Sequence, residues 1–447
     1  MQQDIINAIT TVFSSVDQRN WEKIESVMAG KVLLDYTSLN GGEPAEKTPL
    51  EITTAWAALL PGFDRTHHNV SDFDIKLEGN TATAHYNGRG DHFLGDEVWS
   101  AIGTFDTALQ QIHGEWRITK HKFNVEKQEG NTQLPLKAKQ IVKHKQTAPS
   151  IEKVDIESEG LIVKGNLYRP YDFDESKTYP AVVVGGSWTT VKEQMSGLYA
   201  EELARQDFIT LAIDPRYFGE SEGEPRFWEN PEAKIADYKN AIAYLKKVSG
   251  VDADNLFLTA VCASAGYMAN VVKESDDVKG FATVAAWLHD AESIKPLYGG
   301  EKGVRTKLKQ GIEAKQKFAA AGEVEYVATV SKTDKNAAMA GDFPYYLDPK
   351  RGAIPEWSAN RFAVMSWEDW LTFDPMPVAR KIEVPTLMIH ADDAALPDNA
   401  KKFFNTISTD KKVLYWTEGS QLDFYDQPKQ VAESIAAITT FFKTHIN

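Results

Sequence analysis

Two folds in series are predicted: an α+β unit with helices on one face of a curved antiparallel sheet, then an α/β unit on a mostly parallel sheet. Three observations predict them. Before residue 129, two stretches with helical apolar spacing precede a run of alternating strands, an order that places helices against one side of a sheet. After residue 151, buried strand-like runs alternate with helical stretches, which implies a parallel sheet covered on both faces. Between them, residues 129–151 turn polar and Lys/Gln-rich, as an interdomain connection does. A chain of 447 residues is long enough for two or three domains.

In the first domain, 1–128, the helical spacing covers Asp4–Ser14 and Trp21–Met28. Thr81–Tyr86, Val98–Phe105 and Trp116–Lys122 alternate apolar and polar residues and are read as strands. The connection 129–151 is expected to hold at most a short strand near Gln140–Lys143. In the second domain, 152–447, strands are expected at Ala181–Gly185, Phe208–Asp214, Leu256–Val261, Gly280–Trp287, Thr386–His390 and Val413–Trp416. Helices are expected at Gln194–Arg205, Ile235–Lys247, Tyr267–Lys273, Asn399–Ile407 and Gln430–Lys443. One long insertion, about 289–381, interrupts the alternation and is read as a helical lid. Its Tyr345, Tyr346, Trp357, Trp367 and Trp370 are expected mainly as core or lid packing rather than ligand contacts.

Composition narrows the function classes. A net charge of −15 opposes the attraction that nucleic acid and anionic membranes require, so neither is an expected partner. A single cysteine, Cys262, excludes an intrachain disulfide framework and a multi-cysteine metal site. No metal-ligand spacing stands out, and Gly185-Gly186 lacks the frame of a dinucleotide or phosphate loop. No cofactor or metal is therefore expected. Without a basic, apolar leader or a long apolar run, a cytoplasmic protein acting on a small molecule is the expectation.

The chemistry-bearing segment is Leu256-Phe-Leu-Thr-Ala-Val-Cys-Ala-Ser-Ala-Gly266, an apolar strand running into a sharp turn and a helix. Small residues flank Ser264 there, as a strained strand-to-helix corner presenting a hydroxyl requires. Ser264 is read as the nucleophile, with a structural serine in a capping turn as the alternative. Cys262 stands where the first Gly of G-x-S-x-G is usual and is read as a buried small residue. The backbone N–H of Ala265, with Ser187 after an earlier strand, would supply the oxyanion donors. An acid should follow the strand ending at His390, where Asp392 and Asp393 both stand. His390 itself is read as a packed core histidine.

With Gly185-Gly186-Ser187-Trp188, Asp214-Pro-Arg-Tyr-Phe-Gly-Glu-Ser221 and Asp423-Phe-Tyr-Asp-Gln-Pro428, this segment resembles the α/β-hydrolase superfamily over about 152–447. The branch is similar to dienelactone hydrolases and X-Pro-peptidase-like esterases. The resemblance implies a doubly wound, mostly parallel sheet and the chain order Ser, acid, His. The family resemblance, not the residues alone, favours Asp392 over Asp393 as that acid. Where the His belongs, this chain has Gln421, which cannot shuttle a proton near pH 7. After the acid only His445 remains, so His289 becomes a candidate base, or else a loop histidine paired with Asp290.

The first 127 residues resemble SnoaL-like and scytalone-dehydratase-like members of the NTF2-like cone fold. Asp35-Tyr36, Thr66-His-His68, His92, Trp99 through Gly103 and Gly114-Glu-Trp-Arg117 carry the resemblance. It implies Asp35, Tyr36, His68 and His92 at the cone's mouth, as an acid/base set or as a binding site, and a possible homodimer through this domain. Three functions follow as expectations. The first is a hydrolase acting through Ser264 on a small ester, lactone or activated carbonyl. The second is a dehydratase-like lyase or isomerase working in the cone. The third is a degenerate hydrolase that binds a ligand.

Overall fold

Two units divide residues 2–446, which the computed structural model describes, and the boundary between them falls after Thr147. In the first, helix α1 (Gln2–Asp17) buries Ile5, Ile9, Val12, Phe13 and Val16, a single stripe at helical spacing. Helix α2 (Trp21–Glu25) follows, capped by the Asn20 side chain, and leads into strand β1 (Met28–Asp35). Short elements α3 (Thr37–Asn40) and β2 (Ala45–Lys47) precede α4 (Pro49–Ala57), which starts at a Thr48–Glu51 capping box. Four long strands then form β3 (Arg65–Glu78), β4 (Thr81–Leu94), β5 (Glu97–Ile112) and β6 (Glu115–Gly130).

The sheet order is β2-β1-β6-β5-β4-β3, antiparallel except where β1 lies parallel to β6. Register shifts in β3/β4 and β5/β6 are bulges, which bend a sheet and deepen its concave face. Strand β3 escaped the sequence reading because its residues are mostly polar and it lies at the sheet's edge.

The expected connection at 129–151 is corrected by the structure. Strand β6 continues to Gly130, and helix α5 (Leu134–Gln146) occupies the stretch read as linker and short strand. Leu134, Ala138 and Val142, spaced by four, are buried beneath a lysine-rich outer face that hid the stripe. The packing is tight: a Cβ on Gly62 would stand 2.0 Å from the Ala138 carbonyl oxygen.

The second unit holds strands β7 (Ser150–Ser158), β8 (Leu161–Arg169), β9 (Tyr179–Gly185), β10 (Ile209–Ile213), β11 (Val251–Val261) and β12 (Val278–Val284). The strands Thr386–Ala391 and Lys412–Thr417 complete an eight-stranded sheet. From β7 the order is β7-β8-β10-β9-β11-β12, then those two strands. Every pairing is parallel except the two made by β8. All six expected strands lie in this sheet, and the β7–β8 hairpin is added at one edge.

Helices α6 (Met195–Ala204), α7 (Pro231–Leu245) and α8 (Ser264–Val272) cover it, α7 packing with α8 and α6 with the helix Pro428–Lys443. The loop after β10 is held by buried ion pairs. Asp214 takes the Lys192 ammonium at 2.8 Å, and Arg216 takes Asp237 at 2.7 Å. Between β12 and Thr386 the insertion contributes the helix Gly300–Ala321, two short strand pairs and the helix Ser366–Thr372. No helix of the described residues is long and apolar enough to cross a membrane.

Candidate active site

The corner after β11 turns on Cys262. The strand ends at Val261, Cys262 has φ +60°, and α8 begins at Ser264. A left-handed backbone at a side chain other than Gly is strained and persists only where its surroundings enforce it. Here they do: Cys262 N–H donates to the Val284 carbonyl at 3.0 Å, while its own carbonyl accepts from Ala265 at 3.1 Å and Trp287 at 3.0 Å. Those bonds aim the thiol into a cavity of about 390 Å³ beyond the sheet.

Ser264, read from sequence as the nucleophile, does not line that cavity. Its Oγ donates to the Val261 carbonyl at 2.9 Å, and its Cβ packs so close to Gly185 that a Cβ there would stand 2.7 Å away. It is the small residue that lets α8 approach the sheet, two positions past the apex. Ala265 is corrected with it, because its N–H is spent on the Cys262 carbonyl.

Donors converge on the Cys262 sulfur instead. The backbone N–H groups of Ala263 and Trp188 and the hydroxyls of Ser187 and Tyr425 lie around it and favour its charged form. Burial nonetheless wins and pushes the thiol above its ordinary pKa. The Ser187 role also shifts: its backbone N–H points to the Met195 sulfur at 3.4 Å, while its hydroxyl joins a polar cluster. In that cluster Tyr346 Oη donates to Ser187 Oγ at 3.0 Å, and Ser187 and Tyr425 share a 3.1 Å hydrogen bond.

Gln421 does lie at this cavity. Its amide donates to the Ala285 carbonyl at 2.8 Å and to Tyr425 Oη at 3.2 Å, and its carbonyl accepts from the Ala395 N–H at 2.8 Å. Gln421 thus clamps the loops after two neighbouring strands. The acid does not meet it: Asp392 is largely exposed and pairs with Lys401 at 3.0 Å, whereas Asp393 lines the cavity.

His289 is not a base for this site. It is buried outside the cavity lining, accepts from Trp287 Nε1 at 3.2 Å, and reaches the Trp370 carbonyl through Nε2 at 3.1 Å. Burial pushes it down to about 4, so both nitrogens are committed in a neutral ring. His390 is the packed core residue expected, stacked on Trp416. The rest of the wall is largely apolar, with Trp188, Trp287, Phe343 and Leu422, and the insertion adds Tyr346 and Trp370. Two of its five singled-out aromatics therefore face the cavity, while Trp357 bonds the Thr189 carbonyl.

The first unit has its own cavity, about 350 Å³, on the concave side of its sheet. Tyr36, His68 and His92 line it as expected. Asp35 does not; its Oδ1 turns to Thr37, taking the backbone N–H at 3.1 Å and the hydroxyl at 2.7 Å. The carboxylate beside His68 is Asp17, at the end of α1. Asp17 Oδ1 lies 2.6 Å from His68 Nδ1, and its Oδ2 accepts the His68 backbone N–H at 2.8 Å. Burial pushes Asp17 up, but these bonds and one from Thr66 outweigh it and hold the carboxyl below its usual range. No sequence motif marked Asp17.

Among known proteins, the uncharacterized Escherichia coli (strain K12) protein YcjY is 30% identical over 293 residues, 62% of this chain and 92% of that protein. The chain belongs to the YcjY family. Ahead of that likeness, this YcjY-family chain carries a SnoaL-like domain, whose family model matches residues 2–122. The alpha/beta hydrolase GrgF from Penicillium sp. sh18 superposes with a TM-score of 0.54 at 19% identity, covering 66% of this chain and 99% of GrgF. That likeness, with the strand order, gives the YcjY-like part an α/β-hydrolase fold. The thiohydrolase aneE of Aspergillus aculeatus is 34% identical over 118 residues, 26% of this chain and 37% of its own.

Proposed function

We propose that the C-terminal unit works on acyl carbonyls, esters or thioesters of apolar and ring-bearing acyl groups, through the thiol of Cys262. One observation carries this reading: Cys262 sits at the strained apex, faces the cavity, and has two backbone N–H donors beside its sulfur. Likeness to an alpha/beta hydrolase and, over a shorter stretch, to a thiohydrolase supports it. The thiolate attacks the carbonyl carbon, and the developing oxyanion takes the N–H groups of Ala263 and Trp188. Collapse breaks the bond to the leaving oxygen or sulfur, which departs as alkoxide or thiolate and takes up from solvent the equivalent of the proton the thiol had given to it, and leaves an acyl-cysteine.

No histidine lines the cavity; its carboxylates, Asp342 and Asp393, are what could draw a proton from water, and a carboxylate is in general a weaker base than an imidazole. Deacylation by water is therefore the slow step, and a thiol or amine acceptor outcompetes it. The test is intact-protein mass spectrometry after mixing with a p-nitrophenyl aryl-acetate and with an aryl-acyl thioester. One acyl adduct on Cys262, absent in Cys262→Ala and kept in Ser264→Ala, is the expected result. An adduct on Ser264, or turnover untouched by Cys262→Ala, overturns the assignment. Binding with no adduct at all would leave a ligand-binding protein.

A further inference from the structure

Beside the cavity that Cys262 faces, the second unit has another, a groove of about 1000 Å³ along the helix Gly300–Ala321. Lys302, Thr306, Gln310, Ala314 and Lys317, at steps of four and three, lay one face of that helix along it for roughly 22 Å. The groove adjoins the acyl cavity. Tyr298 lines both, and its hydroxyl accepts from Trp370 Nε1 at 2.9 Å. The helix Ser366–Thr372 gives Trp367 to the groove and Trp370 to the cavity. The segment 335–343 does the same with Lys335 and Phe343.

The groove is cationic on a chain whose net charge is −15. Four lysines line it against two glutamates, and the glutamates are already paired: Glu325 with Lys317 at 2.9 Å, Glu313 with Lys309 at 3.6 Å. Lys302, Lys307 and Lys335 form no ion pair among the described residues. Lys307 is half-buried, with its ammonium 4.2 Å from the centre of the Trp367 ring, and desolvation pushes it below its ordinary pKa. A half-buried cation without a counter-ion is stabilised by an anion laid against it. Beside the Lys317–Glu325 pair, Tyr326 is exposed and offers a ring face on which a nucleotide base can stack.

We propose that this groove holds the phosphate-bearing arm of the leaving thiol, so that the thioesters loaded at Cys262 are of the coenzyme A class. The proposal rests on the acyl chemistry at Cys262 and names its substrate. The phosphates lie against Lys302, Lys307 and Lys335, the base lies on Tyr326, and the uncharged part of the arm passes Tyr298 into the acyl cavity. There the Cys262 sulfur bonds to the carbonyl carbon and the bond from that carbon to the arm's sulfur breaks. The coenzyme leaves as thiolate, which takes up the equivalent of the proton that the Cys262 thiol gave up. The lysines touch no reacting atom; they select the substrate.

The probes are phenylacetyl-coenzyme A and the phenylacetyl thioester of N-acetylcysteamine, which keeps the reacting bond and has no phosphate. Wild type is expected to form the acyl adduct at least tenfold faster, as a second-order rate, from the coenzyme A thioester. That preference should shrink as KCl rises, because exposed charges are screened. Replacing the three lysines together, Lys302→Gln, Lys307→Gln and Lys335→Gln, should abolish the preference and leave the N-acetylcysteamine rate within twofold of wild type. If that variant does not fold, the salt dependence and Lys335→Gln alone, in an exposed segment, decide. Desulfo-coenzyme A, which has no thiol, reads the groove separately: it should bind Cys262→Ala in calorimetry and bind at least tenfold more weakly once the lysines are replaced. Binding of this kind with no acyl adduct in wild type would sink the Cys262 chemistry and with it the assignment of the arm to a leaving thiol. Adducts formed equally fast from both thioesters, or a preference that survives the lysine replacements, overturn the proposal and leave Cys262 standing.

Discussion

Replacing Gln421 by His separates two effects of the missing imidazole that are usually measured as one. Gln421 reaches Tyr425 Oη, and that hydroxyl reaches the Cys262 sulfur, so an imidazole at 421 stands at most one hydroxyl from the thiol. An ordinary thiol near 8.5 is about 3% ionised at pH 7, and Cys262, pushed up by burial, is below that. A neighbouring imidazolium lowering it to about 6.5 would bring the thiolate to roughly three-quarters. That is a gain of about 25-fold in fraction, but each thiolate becomes a weaker nucleophile by about eightfold for two pKa units. Alkylation by iodoacetamide should therefore quicken by at least about threefold, and by more the further burial raises the wild-type thiol. Turnover should quicken by about 10² or more, because the imidazole also activates water for deacylation. The same change breaks the clamp, since one ring cannot serve both the Ala285 carbonyl and the Ala395 N–H. A stability loss of about 1–2 kcal/mol follows. Stopped-flow alkylation, steady-state thioester hydrolysis and thermal melting read the three quantities separately. Unchanged turnover in a folded Gln421→His protein would refute the placement of position 421 opposite Cys262.

Other outcomes follow from the same coordinates. Alkylation of wild-type Cys262 should rise about tenfold per pH unit from 7 upward, because the thiol titrates above its ordinary range; a rate flat between pH 6 and 8 would mean a preformed thiolate. His121 and His92 are buried and pushed down to about 4 and about 3. Their neutral forms support the fold fully above about pH 6.5, and that support is lost as pH falls from there towards the folded values. At pH 5 this amounts to about 2 kcal/mol for each. Circular dichroism melts should thus show the first unit weakening from pH 7 to 5, less so in His121→Asn, and equal pH sensitivity would sink the attribution. Lys192→Met leaves the fully buried Asp214 without its ammonium and should cost about 3 kcal/mol in urea unfolding; a change under 1 kcal/mol would show Asp214 content with its backbone donors.

The strands of the second unit were legible because parallel strands buried on both faces are continuous apolar runs, as in Ile209–Ile213. Helix α5 was not, because its three buried residues sit four apart among lysines, glutamines and a histidine. The turn was legible as a place, with its apex two residues earlier than the pattern around Ser264 suggested. Small residues flank Ser264 on both sides, so the turn pattern fits it, yet the same pattern centred on Cys262 has Ala260 and Ser264 as its small flanks. Position decides: the apex is the first residue after the strand, and the apolar run ends at Val261. Asp17 stayed hidden for a different reason, since its pairing with His68 spans 51 residues and exists only once α1 packs on the sheet.

The cluster around Cys262 is rich in donors and poor in acceptors that can take a proton, and that imbalance constrains the chemistry more than the identity of the nucleophile does. The N–H groups of Ala263 and Trp188 lie beside the sulfur, while Ser187, Tyr346, Tyr425 and the Gln421 amide spend their hydrogens on one another and on the Ala285 carbonyl. Such an array stabilises negative charge on oxygen, so it favours formation of a tetrahedral intermediate and its collapse to an acyl-cysteine. It gives no help to the reverse need, drawing a proton from water. A soft nucleophile that arrives already ionised escapes that limit, which is why a thiol is a better acceptor here than water. On the proposed Cys262 chemistry the site loads an acyl group readily and releases it selectively, and a histidine at 421 would remove that selectivity by making water competitive.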